Sequence, residues 1–467
     1  MTPRRQAAMT AITETASILL WITGGSLFKS ADPEAATILG LARCLMLERP
    51  SLKMPVFDLD KTRSTLAQMA ENVCAVLSQV LTETSSDLEF REHDGSLYIS
   101  RFVPDGAQNI AFRQTQDADT VPTPIRDVGF ATLGLATPGQ IDTLRFEQSR
   151  MPGAVAAGHV RVEVEAVGLN AKDMYALSDK LNIKNATCGL EFSGIIASVG
   201  SAESCLAVGD RVVVMAPHHF STYEDVPEWA CCKMRDEEVP EIMSTVPLVF
   251  STALYALEQR ARLEDGQSVL IHSGAGGLGI AAIQVARMLG AEVFTTVGTE
   301  EKRQFLVENF NIPANHIFDS RSDSFATELL HATSGRGVDV VLNSLTGDLL
   351  HASWEVLAPF GVFVEVGKRD VLDGGKLDMH IFERAATFTA FDLTDLYWST
   401  SVNKQRTWSR LLQRSINLVR SGQLKLVTPL KTFPAGEIVQ AFRHFASGKR
   451  IGKVSVSLAK NLKITVE

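Results

Sequence analysis

At 467 residues the chain exceeds what one ordinary hydrophobic core organises, so two or three domains are expected. Its 45% hydrophobic and 21% charged residues are ordinary globular usage, which excludes a low-complexity or disordered chain. A formal net charge of −9 argues against nucleic acid as a general partner, and no stretch approaches the roughly 18 uninterrupted apolar residues of a membrane span.

The first residues, "MTPRRQAAMTAITETASILLWITGG", have the weak outline of a secretion signal. Polar residues and Glu14 follow Arg4 and Arg5, and no small-residue cleavage site ends the apolar run, so the segment reads as a tail entering a strand. That strand, "ASILLWITGG", is followed by a helix with Asp32 as N-cap and Pro33 at its first position. "LKMPVFDLD" is a second strand and "RSTLAQMAENVCAVLSQVL" a second amphipathic helix. "LEFREHDGSLYISRFV" places two strands around an Asp94-Gly95 turn. The polar, proline-bearing stretch Pro104–Asp127 reads as a linker.

Short strands follow: "HVRVEVEAVGLN", "GLEFSGIIASVG" and "GDRVVVMAP". From about residue 246 to 395 strands and helices alternate, as in a parallel sheet with crossover helices. The amphipathic helix "WSRLLQRSINLVRSG" and the strand "IGKVSVSL" close the chain and are expected to return to the β-rich domain. The six cysteines, at 44, 74, 188, 205, 231 and 232, form no C-x-x-C pair and imply a reduced, cytoplasmic protein. The doublets His218-His219 and Cys231-Cys232 each offer at best one good metal ligand, because neighbours on an extended chain face opposite ways; no metal is expected. The sequon at Asn185 reads as accidental, and the basic run "GKRIGK" at 448–453 as a solvated face, with an acidic docking partner as the sharper alternative.

"GAGGLG" at 274–279 fits G-x-G-x-x-G, follows the strand "SVLIH" and opens a helix, the context a dinucleotide loop requires. Gly274 is expected to permit the tight turn, Gly276 the approach of a pyrophosphate, and Gly279 close packing of helix on sheet; Gly277 and Leu278 complete the loop. The helix N-terminus adds unpaired N–H groups and partial positive charge. No carboxylate ends the next strand, "AEVFTTVG"; Thr299, Lys302 and Arg303 follow, which suits a 2′-phosphate and favours NADPH. The competing reading is that Lys302 and Arg303 decorate the next helix.

These motifs resemble the medium-chain dehydrogenase/reductase superfamily. Zinc-dependent members carry a cysteine where this chain has Asn170 and a histidine where it has Leu190, so the resemblance is to a zinc-free member, suited to reducing an activated double bond. The combination "VGLNAKD", "GLEFSG", "VPLVFSTALYAL", "HSGAGGLGIAAIQVA", "VDVVLNSL", "LAPFGVFVEVGKRD" and "IGKV" is similar to the enoyl reductase domain of fungal highly reducing polyketide synthases, over about 128 to 460. The N-terminal unit resembles the structural, non-catalytic half of a ketoreductase in the same synthases. No third glycine follows Gly24-Gly25 at the required spacing, so "WITGG" is expected to be a structural turn and not a second cofactor site.

The resemblance implies an α/β fold: a truncated Rossmann-like pseudo-ketoreductase unit (1–120), a GroES-like substrate domain (124–245), a Rossmann NADPH-binding domain (246–395) and a return to the substrate domain (396–467). It implies NADPH-dependent reduction of an enoyl thioester on the phosphopantetheine arm of an acyl carrier protein. Other synthase domains would be partners, monomer and homodimer are both compatible, and the chain is expected to be a fragment of a larger synthase. Lys368 and Asp392 match the family's pair near the nicotinamide; without the resemblance, Lys368 reads as an exposed strand-end cation. Lys172 lies on the active-site turn with Asp173, which is expected to brace it. Thr252 is expected to begin a helix, capping it or bonding the cofactor or substrate. Asn170, Asn343 and Leu345 are placed at the nicotinamide side and Arg321 beside Lys302. Some relatives carry a tyrosine acid after this turn; Leu181 stands near its place and Tyr175 falls too early. Two rivals remain: a free-standing quinone or alkene reductase, and an NADPH-binding scaffold without turnover.

Overall fold

The computed structural model describes residues 12, 16–24, 33–49, 52–60, 64–82, 87–101, 105, 108, 121–137, 139–178 and 188–466. The loop after Gly24, Asp32, most of the 104–127 stretch, Leu181 and the Asn185 sequon lie outside them. The chain forms two compact units, residues 1–113 with 321–323, and 114–320 with 324–467.

In the first unit the strands Trp21–Gly24, Val56–Leu59 and Glu89–His93 pair in parallel, and Ser96–Ile99 pairs back antiparallel. Asp94 and Gly95 both take positive φ (48° and 75°), the two-residue hairpin geometry that an Asp-Gly pair favours. The helix Leu66–Leu81 starts in a capping box, in which the Thr65 hydroxyl accepts from the Gln68 amide and Gln68 accepts from the Thr65 N–H. At the end of the opening strand the Thr23 hydroxyl donates to Asp58 at 2.8 Å.

The second unit holds three sheets. Six parallel strands run in the spatial order Ile317–Asp319, Glu292–Val297, Ser268–Ile271, Val338–Asn343, Leu357–Glu365, Thr387–Ala390. Numbered along the chain this is 3-2-1-4-5-6, the doubly wound dinucleotide order, with its switch point between Ser268–Ile271 and Val338–Asn343. A seven-stranded, mostly antiparallel sheet centres on His159–Gly168, Gly189–Val199 and Arg211–His218, with Leu430–Pro434 pairing in parallel at its edge. The strand Lys453–Ser457 joins it beside His159–Gly168, the helix Val402–Arg420 packs into the core under the parallel sheet, and the last strand Lys463–Val466 adds to a separate four-stranded sheet. Cys231 packs into the core of the β-rich part and Cys232 into the core under the parallel sheet, so the doublet points two ways. The stretch Pro240–Arg260 is long and apolar enough to cross a membrane, but 72% of its apolar 18-residue window is buried inside the protein.

A buried ion pair ties two strands of the seven-stranded sheet together. Lys453, 3% exposed, donates to Glu191, 0% exposed, at 2.7 Å, and also to Asn170 Oδ1 at 2.8 Å and the Leu169 carbonyl at 2.9 Å. Glu191 further accepts from the Leu248 amide at 2.7 Å and from Asn170 Nδ2 at 2.9 Å, so both its oxygens are engaged. One residue before Lys453, the Gly452 amide donates to the Ala275 carbonyl at 2.9 Å. Gly452 has φ +73°, and a Cβ there would stand 2.0 Å from the Pro429 carbonyl oxygen, so glycine is required. Lys453→Met should therefore destabilise the protein by about 3–5 kcal/mol, leaving Glu191 buried without its cation. Lys460→Met, which breaks an exposed bridge to Glu163, should cost less than about 1 kcal/mol. Urea unfolding of both variants checks the contrast, and equal midpoints would refute it.

Candidate functional site

At the switch point the ends of Ser268–Ile271 and Val338–Asn343 open into a cleft of about 370 Å³, closed on its other side by residues of the β-rich part. The glycine loop forms one wall: Gly276, Gly277, Leu278 and Gly279 line the cleft, at the start of the helix Gly277–Met288. Gly276 is the N-cap with no side-chain cap bond, which leaves the helix N-terminus uncapped toward the cleft. The left-handed residue of the turn is Ser273 (φ +58°), and Gly274 does not have positive φ. Gly274 is needed for proximity instead, because a Cβ there would meet Thr295 Oγ1 at 2.1 Å, so its expected turn role is corrected to a packing role. At Gly279 a Cβ would stand 2.4 Å from the Ser273 carbonyl oxygen and 2.6 Å from Gly274 Cα, so its closeness is to the loop itself and not to the sheet.

Across the cleft stands a charged triad. Lys172, on the helix Ala171–Ser178, and Lys368, just after Leu357–Glu365, both reach the same oxygen of Asp392, at 2.8 and 2.7 Å. The other oxygen accepts from the Thr394 amide at 3.0 Å and from its hydroxyl at 2.7 Å, and that hydroxyl accepts from Lys172 at 2.6 Å. Burial alone would raise the Asp392 carboxyl, but the two ammoniums override it and hold it well below the usual carboxylate range. Two cations on one carboxylate leave a surplus positive charge on this wall. Tyr255 packs edge-on against Phe391 at 4.9 Å, which steadies the segment carrying Asp392.

The other expected residues divide. Thr252 lines the cleft, but its helix begins at Pro247, so it caps nothing and its hydroxyl faces the cleft from the helix interior. Asn170 lines the cleft with its amide committed to Glu191 and Lys453, and Leu190 stands beside it as an apolar wall. A lysine ammonium therefore faces Glu191 where zinc-dependent relatives would have ligands. Asp173 accepts from the Asn170 amide at 2.7 Å, bracing the turn; burial raises its carboxyl well above the ordinary range, with the Asn170 bond and Lys453 opposing.

Outside the cleft lining, Asn343 is fully buried and holds Leu345 by two bonds to its backbone. Thr299 is the N-cap of Glu300–Phe310, and Lys302 donates to the Gly448 carbonyl at 2.6 Å. Arg303 donates to the Ala314 carbonyl, and Arg321 is exposed after Ile317–Asp319.

Three cleft residues carry weak sequence signals. Tyr175 lies one helical turn after Lys172, a spacing that puts both on one face. His272 directly precedes the loop, at the end of "SVLIH"; its ring is held by Thr296 at 2.9 Å and Ser353 at 2.8 Å, and burial pushes it down to about 3, so it is neutral. Arg450 comes from the basic run read as a solvated face.

Two family models match this chain: "Alcohol dehydrogenase GroES-like domain" over residues 156–242 and "Zinc-binding dehydrogenase" over 312–456. The highly reducing polyketide synthase anuA of Penicillium roqueforti is 45% identical over 97% of this chain and 21% of its own length. The highly reducing polyketide synthase fogA of Aspergillus ruber is 44% identical over 98% of this chain and 19% of its own. The chain thus spans about a fifth of the length of the curated relatives it matches. The crystal structure of CurK enoyl reductase is 34% identical, with a TM-score of 0.62, over 70% of this chain and 99% of that one.

Glu365 supplies a pH test of the cleft's frame. It is buried, and its two oxygens accept from Asn343 Nδ2 at 2.5 Å and from the Gly367 amide. Burial pushes its carboxyl up to about 7, and these donors do not fully offset that. Unfolded, it titrates near 4.5. Between those values the folded chain binds more protons, so stability should fall as pH rises through that window, by up to about 3 kcal/mol. Thermal melts of Glu365→Gln should lack that slope; an unchanged slope would assign it to other groups.

Proposed function

Because the chain belongs to the enoyl reductases of polyketide synthases, within the medium-chain dehydrogenase/reductase superfamily, we propose that it reduces the double bond of an α,β-unsaturated acyl thioester with NADPH. The observation that carries this reading is the meeting of Lys172 and Lys368 on one oxygen of Asp392, across the cleft from the glycine loop. The loop fits a dinucleotide: Gly276 opens an uncapped helix, and a Cβ there would meet only the Ser273 carbonyl, at 3.3 Å. When bound, the nicotinamide supplies the hydride that reaches the β-carbon.

The chain's own residues do the rest. Addition at the β-carbon sends the alkene's electron pair toward the thioester oxygen, giving an enolate. The surplus charge of the Lys172–Asp392–Lys368 triad is placed to stabilise that oxygen in a cleft with few other dipoles. Asp392 keeps both ammoniums aimed, and Lys368 is the proposed proton source for the α-carbon, with Tyr175 as the other donor on the wall. His272 is held neutral with both nitrogens engaged, so it is not that acid. Thr252 offers its hydroxyl to the carboxamide or the thioester carbonyl.

The thioester is carried, in this reading, by the phosphopantetheine arm of an acyl carrier protein, with the other synthase domains as partners and the cytoplasm as setting. The absence of a disulfide among the six cysteines supports a reducing compartment. The first unit is read as the structural half of a ketoreductase, supported by its three parallel strands with a helix before and after Val56–Leu59.

NADPH consumption tests this directly. A short enoyl-pantetheine thioester should be reduced faster than a free enone, and with NADPH in preference to NADH. Preference for the free enone would make the chain a quinone or alkene reductase, and bound NADPH that no substrate oxidises would make it a scaffold. Lys368→Ala should lower turnover by about 10²-fold or more with little change in NADPH affinity. Near-normal turnover in that variant, with loss in Tyr175→Phe, would move the proton to the phenol.

A further inference from the structure

We propose that Arg450 is the anion-binding side chain of the dinucleotide cleft and grips the cofactor's pyrophosphate against the glycine loop. This rests on the reading of the cleft as an NADPH site and names the group that holds the phosphates there.

The backbone around Arg450 is registered to the loop. Gly452, two residues on, forms a parallel bridge with Gly276 and donates to Ala275, while Gly448, two residues before, accepts from Lys302. Arg450 is thereby suspended over the cleft, and its side chain lines the same space as Gly276–Gly279 and Ser273. Its guanidinium carbon lies 3.4 Å from the centroid of the Phe445 ring, a stacked arrangement that sets the plane of the donors.

Among the described residues the charge has no counter-ion: no carboxylate lies within ion-pair distance of Arg450, and its one hydrogen bond is a long contact of 3.5 Å to the Phe445 carbonyl. Elsewhere in this unit Arg161 pairs with Asp225 at 2.7 Å and Arg420 with Glu238 at 2.7 Å, while the half-buried Arg211 spends its donors on three backbone carbonyls. Burial pushes the Arg450 guanidinium down to about 10, so at neutral pH it stays charged in a place that disfavours charge. A cation held this way is relieved by an anion entering the cleft, and its planar fork of donors matches a phosphate.

The neighbouring cations are occupied. Lys453 is committed to Glu191, Asn170 and the Leu169 carbonyl, and Lys302 donates to Gly448. Position separates the two phosphate groups of the cofactor. The 2′-phosphate would lie beyond the end of Glu292–Val297, near Thr299 and Lys302, whereas Arg450 shares the cleft with the first turn of Gly277–Met288, where the pyrophosphate belongs.

The test is dissociation constants for NADPH and for NADH, read from nicotinamide fluorescence, in the unsubstituted chain and in Arg450→Met and Arg450→Lys. Methionine keeps an unbranched stem over Phe445 without the charge, and melting curves establish that each variant is folded. R450M should weaken both dinucleotides by the same factor, about 10- to 100-fold, the worth of one or two charge-assisted hydrogen bonds. R450K should recover part of that. Loss confined to NADPH would place Arg450 at the 2′-phosphate and overturn the assignment, as would unchanged affinity in folded R450M. If the unsubstituted chain binds neither dinucleotide, the reading of the cleft fails and this inference with it. Tight binding in the unsubstituted chain with R450M unaffected removes only the role of Arg450.

Discussion

The buried pair of Lys453 and Glu191 is the constraint on which the cleft depends. Lys453 lies on the strand that brings the end of the chain back into the antiparallel sheet, and Glu191 lies on a central strand of that sheet. The carboxylate also receives the amide of Leu248, near the start of the helix that carries Thr252. A Cβ on Gly277 would stand 2.6 Å from the Lys453 side chain, so the glycine loop is packed directly on this cation. Desolvating both charges is expensive, and the arrangement is stable only because each is saturated with partners. Saturation demands one geometry, and that geometry sets the loop, the helix and the substrate-side wall at fixed distances.

The two walls therefore carry different electrostatics. At the base, Glu191, Lys453 and Asn170 form a closed network in which the charges balance. Across the cleft, Lys172, Lys368 and Asp392 are also bonded together, but with a surplus cation that solvent does not fully screen. The first network builds the site and the second is free to answer charge developing on a substrate. Asn170 belongs to the first, which accounts for its presence in the cleft lining without a spare amide.

Much of this was legible in the residue pattern. The strand–glycine loop–helix succession at Ser268–Met288 is local: each part is specified by residues adjacent in the chain, and the fold realises them in order. The Asp94-Gly95 hairpin and the return of the closing strand are likewise where turn chemistry and alternation put them. The pairing of Lys368 with Asp392 was accessible through family resemblance and not through spacing, since 24 residues and a strand separate them. Ser273 takes the left-handed position because Gly274 is consumed by proximity to Thr295, a residue of the neighbouring strand. Glu365 shows no mark in the sequence, because its burial is produced by Asn343 and Gly367 closing over it.

By itself the sequence determined the periodicities, the glycine loop, the missing zinc ligands and the absence of a carboxylate at the end of the second parallel strand, all properties of residues close in the chain. Tertiary structure alone decided which charges meet. Arg450 reads as a surface cation in "GKRIGK", yet the bridge between Gly452 and Gly276 carries it to the mouth of the glycine loop, where no carboxylate among the described residues pairs with it. Lys172 reaches an acid 220 positions away. Electrostatic function depends on distance and burial through space, and those follow from how strands are paired, which no local pattern encodes.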